Sequence, residues 1–140
     1  MEYLSPRLSP AELPRLSHLA LAHVGDGVYE LMVRTWLCIH GNLTNRALHR
    51  ETVARVCATA QSAAFGVIEP LLTEEETAVC KRGRNSHSGK VPKSASVAQY
   101  RRATGLETLF AHLYVTGQTK RLDELFDLAF PDEPEYTPIV

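Results

Sequence analysis

Gly25, Asp26 and Gly27 interrupt a segment whose apolar residues recur at positions 16, 19, 20, 24, 28, 31, 32 and 36, the three- and four-residue steps of a buried helical face. Each interior glycine costs a helix roughly 1 kcal/mol relative to alanine, and aspartate prefers caps to interiors. Absent side chains at 25 and 27 let a backbone or a ligand approach, and a lone acid on an apolar segment needs a counter-charge, hydrogen bonds or a metal. Asp26 is therefore a candidate metal ligand. The alternative is that Gly25 ends one helix as a left-handed cap and Asp26 caps the next. A second interruption of the same kind, Ala103-Thr104-Gly105-Leu106-Glu107, again sets one carboxylate beside a small residue. Two carboxylates brought face to face by closely packed helices are the least a protein must contribute to a Mg²⁺ site, because that ion keeps several waters and takes oxygens from substrate phosphate. The chemistry open to such a pair is phosphodiester hydrolysis, on the assumption that the two segments meet in space.

Charge distribution points the same way. Between Thr77 and Leu106 stand Lys81, Arg82, Arg84, Lys90, Lys93, Arg101 and Arg102, with no Asp or Glu among them, whereas the rest of the chain is acidic. A basic segment on an acidic body is the pattern of a polyanion-binding patch, although a solvated basic loop has the same composition. A nucleic acid held there is gripped by its backbone rather than read by its bases.

The elements that must position these residues are helices. Ser9-Pro10-Ala11-Glu12 can form a capping box in an irregular arm, and Pro14 suits the first turn of the long helix, which reaches about Cys38 and stops near Gly41-Asn42. Asp26, Glu30 and Arg34 share one face of it, with Glu30 placed to pair with Arg34. Thr44 to Ile68 reads as helix with a break near Glu51-Thr52, ended by Pro70. Thr73-Glu74-Glu75-Glu76 opens a helix expected to run to Arg82 and stop at Gly83, and residues 83–95 read as a loop. Ser96 and Gln99 open the next helix, with an apolar face at 97, 100, 106, 109, 110, 113 and 114 and an end near Gly117. Residues 119–129 form a last amphipathic helix. No strand signal or internal repeat is found, so the expected class is all-α.

With 140 residues, 44% of them hydrophobic, the chain suits one domain with its own core: an arm over 1–15, the domain over 16–130 and an acidic, proline-containing tail over 131–140. No run is long and apolar enough to span a membrane and no signal peptide is visible, so a cytoplasmic protein is expected. Cys38, Cys57 and Cys80, odd in number and far apart, read as buried thiols, and the six histidines show no ligand spacing.

Taken together, the runs Leu19-Ala20-Leu21-Ala22-His23-Val24-Gly25-Asp26-Gly27-Val28-Tyr29-Glu30-Leu31, Leu48-His49, Ala58-Thr59-Ala60-Gln61, Leu72-Thr73-Glu74-Glu75-Glu76, Lys81-Arg82-Gly83-Arg84-Asn85 and Tyr100-Arg101-Arg102-Ala103-Thr104-Gly105-Leu106-Glu107 resemble the ribonuclease III catalytic domain, most closely its short bacterial form, Mini-ribonuclease III. The resemblance covers roughly residues 16 to 128. It implies an all-helical homodimer with the ribonuclease III endonuclease-domain fold, whose two sites each cut one strand of double-stranded RNA with Mg²⁺, leaving short 3′ overhangs. It also implies maturation of large-subunit (23S) ribosomal RNA. Asp26 and Glu107 match the acids of the family's two signatures, as catalytic residues and metal ligands. Full-length ribonuclease III has further acids four residues before the first and three before the second; this chain has Ala22 and Thr104 there, as the short form does. Gly27 stands where alanine is usual. No double-stranded-RNA-binding domain follows, so grip is expected from the dimer surface and from Lys81, Arg82, Arg84, Asn85, Lys90, Lys93 and Arg101. Two rival readings are a catalytically silent RNA-binding domain of the same fold and a helical protein-interaction domain with a basic loop.

Overall fold

The computed structural model describes residues 1–41, 43–86 and 91–130, and all regular structure in them is helical. Ser9 and Glu12 close the expected capping box, each backbone N–H donating to the other's side chain. Pro14, however, sits in a separate 3₁₀ turn, Leu13–Arg15. Leu16 then turns extended, and Ser17 caps α1 (His18–His40) by accepting from the Ala20 N–H at 3.0 Å.

The buried stripe of α1 is Leu21, Gly25, Tyr29, Val33 and Leu37, at steps of four. The sequence pattern favoured a different stripe, and two of its members, Leu19 and Leu31, are 44% and 58% exposed. This helix is apolar on more than one side, so periodicity alone does not choose the face. Close packing at Gly25 does.

The second helical stretch breaks at Cys57, not near Glu51-Thr52. α2 spans Asn45–Val56 and α3 spans Ala58–Ile68, with extended Cys57 between them. Thr52 is tolerated inside α2 because its hydroxyl donates to the Leu48 carbonyl at 2.8 Å. Pro70 lies in the 3₁₀ turn Glu69–Leu71 that follows α3.

Thr73 and Glu76 form the capping box of α4 (Glu74–Arg84). That helix runs straight through Gly83. A Cβ there would lie 2.6 Å from the Thr108 Cβ, so this glycine is a packing residue rather than a stop. α5 (Val97–Val115), with the Ser96–Gln99 capping box, is the central element. From Ala103 to Val115 nearly every residue is buried, because α1, α3, α4 and α6 (Thr119–Ala129) pack around it. The turn out of α5 uses Gly117 at φ +76°, a left-handed position that glycine adopts without strain.

Tyr29, Leu37, Phe65, Ile68, Leu106, Leu109, Phe110, Leu113 and Leu125 are at the centre of the core. Two arginines tie its edges. Arg121 of α6 donates from Nε and one terminal nitrogen to the two oxygens of buried Glu76, each at 2.9 Å. Arg102 bonds Ser62 and lies 5.2 Å over the Phe65 ring. Of the cysteines expected to be buried, only Cys80 is; Cys57 is half-buried and Cys38 exposed. No helix of the described residues is long and apolar enough to cross a membrane. Asn42, Lys90 and the tail 131–140 lie outside the described residues.

Candidate active site

α1 and α5 approach most closely at Gly25. A Cβ on Gly25 would overlap the carbonyl of Glu107 and lie 2.9 Å from its Cα, so the missing side chain is the condition for the approach. The two sequence interruptions thus meet. Because α1 is continuous through this point and Gly117 is the sole residue with positive φ among those described, the reading of Gly25 as a left-handed cap is excluded. Gly27 behaves differently, since a Cβ there would meet nothing within 4 Å. It makes no close approach within the chain.

Asp26, one residue beyond the crossing, is exposed, and Glu107 is half-buried. Their carboxyls are hydrogen-bond partners. Burial first, then the Asp26 charge and the shared bond, push the Glu107 carboxyl up to about 8, so near neutral pH it holds the proton and donates it to Asp26. Neither carboxylate forms an ion pair with a cationic side chain among the described residues. Glu30, one turn on, is engaged by Arg34 Nε at 3.1 Å, as its spacing predicted.

The pair opens into a groove of about 390 Å³ lined by Leu19, Ala22, His23, Asp26, Tyr100, Thr104 and Glu107. Both positions at which the chain lacks an acid of full-length ribonuclease III are in its wall. Ala22 offers no ligand, and the Thr104 hydroxyl donates to the Tyr100 carbonyl at 3.0 Å, leaving only oxygen lone pairs. No group of three or more His, Cys, Asp or Glu side chains converges among the described residues. Two carboxylates lacking a counter-charge, on an open groove with room for water, fit a hard divalent cation that retains much of its hydration. They do not fit a cation stripped of water.

The basic side chains divide by location. Lys81, Arg82, Asn85, Lys93 and Arg101 are exposed. Arg84 is half-buried, 3.8 Å from Glu69 and 5.8 Å over the Phe65 ring, and packs against Gly105, so part of its work is structural. Arg82 instead lines a cavity with His18 and His112 on the far side of α4. These two arginines thus leave α4 toward different neighbours. Groove residues His23 and Tyr100 escaped the sequence reading, although Leu19, His23 and Asp26 on α1 and Tyr100, Thr104 and Glu107 on α5 carry the three- and four-residue spacing that would have found them.

The model of the ribonuclease III domain family matches residues 19–118. The chain is 39% identical to Mini-ribonuclease 3 of Clostridium tetani, over 90% of this chain and 84% of that one. It is 43% identical to Mini-ribonuclease 3 of a Thermoanaerobacter species, over 81% and 80%. A crystal structure of a Fusobacterium nucleatum protein superposes with a TM-score of 0.73 at 29% identity, covering 79% of this chain and 85% of that one. The fold, the paired acids and these likenesses agree: the chain belongs to the ribonuclease III family, as an endoribonuclease of its Mini-ribonuclease 3 branch.

Proposed function

We propose that this endoribonuclease cuts double-stranded RNA with Mg²⁺ held between Asp26 and Glu107, that it works as a homodimer whose two sites each cut one strand, and that its cellular task is maturation of large-subunit ribosomal RNA. The observation that carries the reading is the carboxyl pair itself: two acids from different helices, hydrogen-bonded to each other without a cationic partner, on the wall of an open groove. When bound, the ion supplies an activated water and charge neutralisation at the scissile phosphate. The chain's own contribution is placement. Gly25 sets the two helices at contact distance, and Asp26 and Glu107 would hold the cation, Glu107 as the carboxylate left once its proton has gone to solvent. The Thr104 hydroxyl, turned to its own helix, leaves the groove open to hydrated ligands. Exposed Lys81, Arg82, Asn85, Lys93 and Arg101 supply backbone grip, with Arg84 through the exposed part of its side chain, and Lys90 is added from the sequence. Such grip suits an A-form duplex, whose deep, narrow major groove resists side-chain reading. Exposed Leu31 on α1, one turn from Gly27, supports a subunit contact along that helix.

Asp26→Asn and Glu107→Gln test the proposal. Each keeps the shape of the acid and removes its charge, so each should abolish cutting of long duplex RNA in Mg²⁺ while folding and RNA binding persist. Near wild-type cutting by either variant in saturating Mg²⁺ removes that residue from the ligand set. A wild-type chain that binds duplex RNA without cutting it would instead support the silent-domain reading. Sedimentation at micromolar concentration should give about twice 15.5 kDa, and a clean monomer refutes the paired-site mechanism.

A further inference from the structure

Resting on the reading of duplex RNA as substrate, we propose that the outward face of α2, together with the groove between α1 and α2, is a second seat for RNA backbone phosphates, reached by the duplex that lies on the carboxylate pair. α2 carries Arg46, His49 and Arg50 at the spacing of one helical face, and all three are exposed. Arg46 and His49 form no ion pair among the described residues. Arg50 stands only loosely, at 3.6 Å, from Glu51, with its side chain 68% exposed. Glu51 is committed elsewhere, to Arg55 at 2.6 Å, and Arg55 in turn lies over the Trp36 ring. The one acid of this helix is thus held among its inner contacts, and the outward face is left cationic.

The adjoining groove, about 230 Å³, is lined by Arg34, Cys38, Asn45, Leu48, His49 and Thr52. Arg34 spends its Nε–H on Glu30, yet its side chain is 60% exposed and the terminal nitrogens of its fork remain available to an anion. Position along α1 ties this groove to the carboxylates. Arg34 and Cys38 are eight and twelve residues beyond Asp26, or roughly 12 and 18 Å at 1.5 Å per residue. α4 and α5, which carry the basic segment, pack on each other, whereas α2 packs on α1 and α3. The carboxyl pair thus shares α1 with Arg34 and Cys38 of this groove, and α5 with Arg101 of the basic segment.

The test uses the Asp26→Asn chain, which holds RNA without cutting it, in a salt titration of binding to duplex RNA. Adding Arg46→Ala and Arg50→Ala should weaken binding and lower the slope of log affinity against log salt by about 1 to 2, since each phosphate contact contributes roughly 0.7 to 0.9. Arg46→Lys with Arg50→Lys should retain most of the slope, and Lys120→Ala, an exposed cation on α6 outside both surfaces, should leave it unchanged. As a second readout, alkylation of exposed Cys38, followed on its peptide by mass, should slow several-fold when duplex RNA is bound. A slope and an affinity unchanged by the double alanine variant, in a protein whose wild-type form cuts duplex RNA, overturn the proposal. A wild type that neither binds nor cuts duplex RNA refutes the substrate reading, and this proposal with it.

Discussion

Replacing Gly25 with alanine adds one methyl group, and at an exposed helix interior the exchange stabilises by roughly 1 kcal/mol. Here the methyl meets backbone, which cannot rotate aside. Its distance to the Glu107 Cα, 2.9 Å, must grow to about 3.5 to 4.0 Å for ordinary carbon contact, and relief of the overlap with the carbonyl demands more still. α1 must therefore draw away from α5 by at least about 0.6 to 1.1 Å, a gap that forfeits a quarter to a half of the dispersion energy of each contact across it. The contacts at stake include buried Leu21, Tyr29, Val33 and Leu37. The expected cost is about 3 kcal/mol, or a fall in Tm of about 10 °C for a domain of this size. Cutting should fall further than stability does, because the same displacement parts Asp26 from Glu107. Gly27→Ala is the matched control. Within the subunit its Cβ meets nothing within 4 Å, so it should leave the α1–α5 crossing unstrained and should not lower Tm. Thermal unfolding by circular dichroism and a Mg²⁺-dependent cleavage assay measure both. If Gly25→Ala melts and cuts like wild type, the close helix crossing is not what places the carboxyls.

Four further outcomes follow from the same structure. In EDTA the protein should lose stability as pH rises from about 4.5 to about 8, because burial beside Asp26 raises the folded Glu107 carboxyl above its usual value, so the folded state binds the extra proton in that window; Mg²⁺ should restore more stability at the alkaline end, and a melting temperature flat across this range refutes the coupling. Tyr29→Phe should stabilise by about 1 kcal/mol in urea unfolding, since the Tyr29 hydroxyl is buried with no hydrogen-bond partner, and a large destabilisation would show that the hydroxyl is satisfied after all. Arg121→Met should cost about 3 kcal/mol, because Glu76, with its side chain only 8% exposed, loses its counter-charge and keeps only the Thr73 N–H on one oxygen; a shift under about 1 kcal/mol would mark the pair as dispensable. Arg82→Ala should reduce the salt dependence of RNA binding with little change in Tm, while Arg84→Ala should lower Tm through its lost contacts with Phe65 and Glu69; the reverse pattern would contradict their placement on α4.

Local chemistry was legible in the sequence wherever the signal lay within a few residues. The capping boxes at Ser9, Thr73 and Ser96, the Glu30–Arg34 pair, the all-α class and the ends of α5 and α6 were read there, because each depends on spacings of three or four residues or on a single turn former. So was the kinship of Asp26 and Glu107, as two acids each beside a glycine or small residue in a core-facing helical pattern. What lies across the molecule was not legible. Gly25, Gly27 and Gly83 look alike on paper, yet one admits a neighbouring backbone, one faces open space and one packs on Thr108 in mid-helix, and the sequence stop read at Gly83 failed for that reason. The buried stripe of α1 could not be chosen from a helix apolar on several sides, and the break at Cys57 is a matter of one extended residue between two stretches that are both helical in pattern. Arg82 and Arg84, two residues apart, were indistinguishable as charges. The helical turn sends one toward His112 and the other over Phe65, and only tertiary packing says which partner waits there. The charge of a side chain is written in the sequence, but whether that charge is free depends on a neighbour from a distant part of the chain, and that neighbour is chosen when the helices pack.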